Sequence, residues 1–261
     1  MIVISSVNIS HLFKKAIETI LDGSEQAMIT FDEKGLQIQS VDSLSVCMCL
    51  FKFSKKRFFK FEVSKTVQIK FNTRPLYNFI KKFSGVAFSF VCKNNVLWIK
   101  VVSGFGKIYN TVNEYKFINT KDRTDYFSIP EYTFINCPSF RLDTEEFTNI
   151  ILDLAVGGGY IQVEMEGCRI LWKTCFETGS ISVESHNANN IDKGYMVLIP
   201  AHTKISNKYL TKFFKQACNI APTCDNLTIY MRAGGPIVLE FELGKGLSSL
   251  IISIVPVITQ T

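Results

Sequence analysis

Histidine is scarce in this 261-residue chain, and His11, His186 and His202 stand apart from one another and from any serine or cysteine nucleophile motif. That leaves no acid–base or nucleophilic constellation on which to build an active site. Cysteine is better represented, but its 8 residues include no C-x-x-C pair and no histidine near a cysteine pair. Zinc-site spacing is therefore missing. Cys47 and Cys49 are two apart, and Cys92, Cys137, Cys168, Cys175, Cys218 and Cys224 are scattered. Most have apolar neighbours, as buried free thiols in a reducing compartment do. Asp32, Glu33, Asp42 and Asp143 form no recognisable metal set. Gly157-Gly158-Gly159 falls between a helical pattern and a strand pattern. A phosphate loop needs the reverse order, strand then helix, so this triplet reads as a turn. Long apolar runs are missing too. The start, MIVISSVNIS, has no basic segment ahead of an apolar one, so no signal peptide is read. Leu247–Ile258 is broken by Ser248, Ser249, Ser253 and Pro256 and is too short to span a bilayer. These absences point away from an enzyme, a cofactor, a metal and a membrane partner.

What is present is a substantial core. The chain is 47% hydrophobic and 20% charged, with 22 phenylalanines, and its length suits one large domain or two of ordinary size. Its formal net charge of +6 is mildly basic, which favours nucleic acid as a partner only if the cations cluster.

The richest stretch is Ala27–Leu50, AMITFDEKGLQIQSVDSLSVCMCL. It reads as a strand, a turn at Asp32–Gly35, a second strand with Leu36 and Ile38, and a third with Val46, Met48 and Leu50 alternating. Before it, Ser10–Leu21 has helical spacing, with Phe13, Ile17, Ile20 and Leu21 on one face. After it come alternating residues to Phe71, interrupted by the basic run Lys55-Lys56-Arg57. A second helix is read over Asn72–Phe83, then a hairpin over Val86–Val102 and a strand ending at Phe117. The polar stretch 118–138 interrupts the pattern. The order then restarts: a helix over Thr144–Ala155, strands at Tyr160–Glu166, Arg169–Cys175 and Ser180–His186, a helix over Asn207–Asn219, and closing strands.

The halves repeat. Phe13 and Ile17 recur as Phe147 and Ile151, and the same offset carries Leu76, Phe79, Ile80 and Phe83 to Leu210, Phe213, Phe214 and Ala217. A fixed offset marks a duplicated unit. The expected fold class is α+β: two tandem similar domains of antiparallel sheet with two helices each, residues 1–117 and 139–261, joined by a connector over 118–138. The offset also carries the stripe Arg74, Asn78 and Lys81 to Lys208, Lys212 and Lys215. Cations repeated on equivalent helices suit a surface that meets phosphate. No base-reading motif accompanies them, so the expected contact is indifferent to sequence.

Gly35-Leu-Gln-Ile-Gln-Ser-Val-Asp-Ser-Leu-Ser-Val46 resembles the G-apolar-x-apolar-Q-S-M-D-x-x-x-V segment of the proliferating cell nuclear antigen family, the eukaryotic and archaeal DNA sliding clamps, with Val41 at the usual Met. Ile254-Val-Pro-Val-Ile258 is similar to that family's L-A-P-K-I ending. The resemblance implies a homotrimeric ring around double-stranded DNA. Such a ring is placed by a clamp loader and tethers DNA polymerase and other replication and repair proteins, in the nucleus or a viral replication compartment. It implies duplex contacts at Lys14, Lys15, Arg74, Lys81, Lys82, Lys208, Lys212 and Lys215. It implies a groove for partner peptides at Val41, Ser45, Val46, Met48, Phe127, Ile129, Pro236, Val255, Pro256 and Ile258. Ring closure would pair unpaired strands, with Tyr109–Phe117 and Ser180–His186 as candidates. The third helix departs from the pattern, since Thr148, Asn149 and Leu152 stand where that family often has arginines. Two alternatives stay open: a subunit of a heterotrimeric checkpoint-type clamp, and a monomeric viral processivity factor.

Overall fold

The computed structural model describes residues 2–6, 10–83, 87–93, 96–103, 111–118, 137–186, 196–199, 201–244 and 247–257. Phe127, Ile129 and Ile258 lie outside the described residues, as does most of the expected connector. The chain divides into two compact units, and residues Leu44–Met48 group with the second although they precede most of the first.

In the first unit, β1 (Ile2–Ser6) and α1 (Ser10–Leu21) lead to β2 (Gln26–Phe31), β3 (Gly35–Val41) and β4 (Cys47–Ser54). A single helical turn, Lys55–Arg57, is followed by β5 (Lys60–Val63), β6 (Val67–Asn72), α2 (Thr73–Ile80), β7 (Ala87–Lys93), β8 (Val96–Ser103) and β9 (Thr111–Ile118). One sheet has the order β5-β1-β7-β8-β9, and a second runs β4-β3-β2-β6. The α1 spacing does most of what it predicts: Phe13, Ile17 and Ile20 are fully buried, joined by Ala16, while Leu21 at the helix end is half-buried. The Phe13 ring sits edge-on to Phe88 at 6.0 Å and Phe90 at 5.2 Å, and Phe31 lies 5.6 Å from Phe90. Each such ring removed from water contributes about 1.5–3 kcal/mol.

The second unit repeats this plan with β10 (Ser139–Leu142), α3 (Thr144–Leu154), β11 (Tyr160–Gly167), β12 (Arg169–Phe176), β13 (Gly179–His186), β14 (Met196–Ile199), β15 (Ala201–Leu210), α4 (Thr211–Cys218), β16 (Asn226–Tyr230), β17 (Ile237–Leu243) and β18 (Ser248–Ile254). Its sheets have the orders β13-β12-β11-β15 and β14-β10-β16-β17-β18. Phe147 occupies the place of Phe13, 6.1 Å from Trp172 and 5.9 Å from Phe241. Asp143 caps α3 by accepting from the Glu145 and Glu146 amides.

Three sequence expectations change. The fourth helix begins at Thr211, not Asn207, and residues Ala201–Leu210 form a long strand. Ala201, Ile205 and Tyr209 are buried four apart, a spacing that imitates a helix. Pairing with β11, from Tyr160↔Leu210 to Gly167↔Ala201, supplies the backbone bonds that a helix would have made internally. The second helix ends at Ile80, so Lys81 and Lys82 lie just beyond it. The repeat offset therefore slips between the first and second helices of each unit. Thr73 donates its amide to Glu25 O at 2.9 Å and its hydroxyl to Ser24 O at 2.8 Å. Thr211 makes the same pair of bonds, to Gly159 O at 2.9 Å and Gly158 O at 3.0 Å. Thr73 is thus matched by Thr211, and Leu76 by Phe214 rather than Leu210. Finally, β4 buries Cys47, Cys49, Phe51 and Phe53, the opposite phase to Val46 and Met48, while Leu50 of the expected phase is buried too. A strand shifted by one residue exchanges its faces, and Val46 and Met48 stay half-exposed.

Candidate functional site

The corrected alignment reassigns the cations. Arg74 and Lys212 are each the second residue of their helix, follow the matched threonines, and are exposed. Lys215 is exposed one turn along α4, where α2 has Tyr77. Lys81 and Lys82 are exposed past the end of α2, with Lys81 Nζ 5.8 Å from the Tyr77 ring centroid. Lys208 belongs to β15 and not to the α4 stripe; its Nζ lies 4.7 Å over the Tyr160 ring. Lys212 Nζ lies 4.5 Å over Phe213. On α1, Lys14 and Lys15 are half-buried, and Lys15 pairs with Glu18 at 2.9 Å. That bond, opposed in part by burial and joined by a 3.1 Å bond from Tyr77 Oη, holds the Glu18 carboxyl below its ordinary range. Lys15 therefore already carries a partner charge. The third helix, TEEFTNIILDL, has no cation, and Leu152 on its surface is 57% exposed.

A second feature lies wholly in the second unit. A cleft of about 300 Å³ is lined by Cys137, Tyr230–Gly235, Pro236 and Val238. Its wall is the turn after β16, where Gly234 has φ +63°, a conformation that favours glycine. Asn207 clasps this turn. Its Nδ2 donates to Arg232 O at 2.9 Å and to Gly235 O at 3.4 Å, and its Oδ1 accepts from Gly234 N at 3.2 Å. Asn207 Nδ2 also reaches Tyr209 Oη at 3.0 Å, and Tyr209 Oη donates to Gly235 O at 3.3 Å. Burial pushes the Tyr209 hydroxyl well above the usual tyrosine range, so it stays a donor. Asn207 faces the turn because β15 is a strand, so no helix reading could find it.

Residues 44–48 bring further groups to this unit. Ser45 is exposed at φ +56°, Leu44 is 64% exposed, and Val46 O accepts from Val255 N at 2.8 Å. Val255 is 44% exposed and Pro256 half-buried, and Val257 N donates to Lys208 O at 2.7 Å, tying the tail to β15. Of the expected groove residues, the structure places Ser45, Val46, Met48, Pro236, Val255 and Pro256 in one unit. Val41 is half-buried on β3 of the other. Leu44, Tyr230, Arg232 and Asn207 were not singled out by the sequence; Leu44 is legible in hindsight as an apolar residue between two serines, and the others carry no sequence signal.

Among the described residues both strands expected at free edges are terminal in their sheets: β9 next to β8 alone and β13 next to β12 alone. Among the described residues no cluster of His, Cys, Asp or Glu could hold a metal ion, and no helix is long and apolar enough to cross a membrane.

Comparison with known proteins adds the family. The model described as "Proliferating cell nuclear antigen, N-terminal domain" matches residues 3–119. "Proliferating cell nuclear antigen 2" of Drosophila melanogaster is 24% identical over 240 residues, covering 89% of each chain. The duplicated antiparallel α+β plan and the Gly35–Val46 signature agree with these two matches, which together support a divergent clamp of the proliferating cell nuclear antigen family.

Proposed function

We propose that this protein is a DNA sliding clamp that closes as a homotrimer around duplex DNA and tethers DNA polymerase and other replication proteins. The observation that carries the reading is the repeated cation at one helical position, Arg74 in one unit and Lys212 in the other, each just after a threonine that locks its helix to the turn before β2 or β11. A cation held at a fixed place on a rigid element suits phosphate, and phosphate contact without base contact leaves a ring free to slide. The terminal strands β9 and β13 favour assembly, because a bare edge is normally covered. Copies joined β9 to β13 make a heterologous contact that closes into a ring only at the right rotation. Near β13, Phe176 is 42% and Val156 84% exposed, apolar surface that such a contact would cover. The cleft walled by residues 230–236 is proposed to take an aliphatic or aromatic anchor of a partner peptide. Loading onto closed DNA would need a separate ATP-driven loader, and the working place would be the nucleus or a viral replication compartment.

The test is retention on DNA. Light scattering gives the oligomer mass, and the protein is then loaded onto closed circular and onto linear duplexes of equal length. A trimer held on circles and lost from linear ends is expected. A stable monomer held equally on both would overturn the ring and favour a monomeric processivity factor. A chain that trimerises only with other subunits would favour a heterotrimeric clamp, which the acidic, cation-free surface of α3 makes the specific rival. Changing Arg74 and Lys212 together to Gln should lower the slope of log affinity against log salt by about 1.8 per subunit on duplex DNA, up to about 5.4 for a trimeric ring.

A further inference from the structure

The basic turn after β4 is not used by the proposed ring or its peptide cleft. Lys55, Lys56 and Arg57 form one helical turn, followed by Phe58, Phe59 and Lys60. The adjacent phenylalanines go opposite ways. Phe58 is 8% exposed, with its ring 5.2 Å from Phe61; Phe59 is 94% exposed. Ordinary packing does not leave a phenylalanine almost wholly in water, and this one stands on a well-fixed base. Ser54 Oγ caps the turn by accepting from Lys56 N, and Phe58 N donates to Lys55 O at 3.1 Å. Lys55 N donates to Lys34 O at 2.9 Å, clamping the turn to the β2–β3 turn. The two pack so closely that a Cβ on Gly35 would stand 2.0 Å from Phe53 O.

The register of β2 separates this patch from the helix cations. Asn72, which precedes α2, pairs with Gln26 at the start of β2, whereas the basic turn adjoins the far end of β2, beyond Phe31. Lys34, Lys55, Lys56 and Lys60 are exposed, and Lys60 has Glu62 at 3.3 Å. Among the described residues no carboxylate lies within ion-pair reach of Lys55 or Lys56.

We propose that Phe59, with Lys55 and Lys56 beside it, is a docking point for single-stranded nucleic acid. The ring offers a face for an unstacked base, and the ammonium groups meet the adjoining phosphates, the pairing that strand-tracking proteins use. Duplex DNA keeps its bases stacked on each other and offers the ring nothing. A peptide anchor needs a hollow to enter, and Phe59 is a projection. An anionic membrane would accept a projection, but membrane-surface segments present a continuous apolar face, and here Phe58 is turned inward. The inference goes beyond the ring reading and stands without it.

The experiment measures binding of fluorescein-labelled oligo(dT) of 20 nucleotides to the full-length protein by anisotropy at low salt. Phe59→Ala, at a side chain with almost no packing to lose, is expected to weaken binding roughly tenfold. Lys55→Gln with Lys56→Gln should lower the salt slope by about 1.4 on the single strand. Phe59→Trp should keep affinity, with its fluorescence quenched on binding. Arg74→Gln with Lys212→Gln should weaken oligo(dT) binding much less than Phe59→Ala does. Unchanged affinity in Phe59→Ala would overturn the proposal, as would binding lost in the Arg74/Lys212 variant instead. Phe59-dependent binding to phosphatidylserine vesicles but not to oligo(dT) would assign the patch to a lipid surface and overturn it too. Retention of Phe59→Ala on circular duplex reports on the ring separately, so failure of one reading is distinguishable from failure of the other.

Discussion

Replacing Asn207 with Asp is expected to harm the protein more than replacing it with Ala, although Asp has nearly the same shape. The Asn207 amide donates to Arg232 O at 2.9 Å and Tyr209 Oη at 3.0 Å, with Gly235 O at 3.4 Å, and accepts from Gly234 N at 3.2 Å. A net hydrogen bond is worth about 1 kcal/mol, and water can replace part of that at a half-exposed site. Asn207→Ala should therefore cost about 1–2 kcal/mol. Asn207→Asp keeps the acceptor for Gly234 but turns an anionic oxygen toward two carbonyl oxygens that needed a donor, which should add about 1 kcal/mol more. Urea unfolding at neutral pH measures both. Hydrogen exchange at Gly234 gives the local reading: fast in Ala, slower in Asp. If Asp proves equal to or milder than Ala, the clasp is not what holds the 232–235 turn. In that case the cleft must owe its shape to Tyr209 and packing alone.

Gly35→Ala should destabilise by about 3 kcal/mol, because its Cβ would meet the Phe53 O and Lys55 N backbone atoms, which cannot swing away. Gly167→Ala, at φ +56° with nothing within 4 Å, should cost only the backbone strain of about 1 kcal/mol, and chemical denaturation of the pair tests the difference. Glu18 has a carboxyl lowered first by its bond to Lys15, so its stabilisation is full above its ordinary value of 4.5 and fades as pH falls through the lower folded value. Glu18→Gln should flatten that acid limb in a pH series of unfolding midpoints; an unchanged limb would rule the pair out as its source. Burial pushes the Cys218 and Cys224 thiols up to about 12, whereas Cys168 and Cys175 are exposed. Brief iodoacetamide treatment read by mass spectrometry should label Cys168 and Cys175 first, and early labelling of Cys218 would contradict the fold around α4.

By itself the sequence determined the features that local pattern can carry. The α1 and α3 spacings put Phe13 and Phe147 at the centres of matched aromatic clusters, and the Gly35–Val46 signature and the repeat pointed to the family. The edge candidate near residues 111–118 was legible because it ends the run of strands in its unit, whereas 179–186 sits within a run and its terminal place follows from the β13-β12-β11-β15 order. Only the tertiary structure decided the state of residues 201–210, whose apolar residues four apart suit a helix and a strand equally; the open edge of β11 settled it by offering hydrogen bonds. That choice moved Lys208 off the α4 stripe and made Asn207 a clasp for a turn some 25 residues away in sequence. Likewise the phase of β4 depended on which face met the core, since both Val46-Met48 and Cys47-Cys49 alternate correctly. Periodicity states how far apart buried residues lie. Which backbone bonds they use, and which side is inside, depends on neighbours far along the chain.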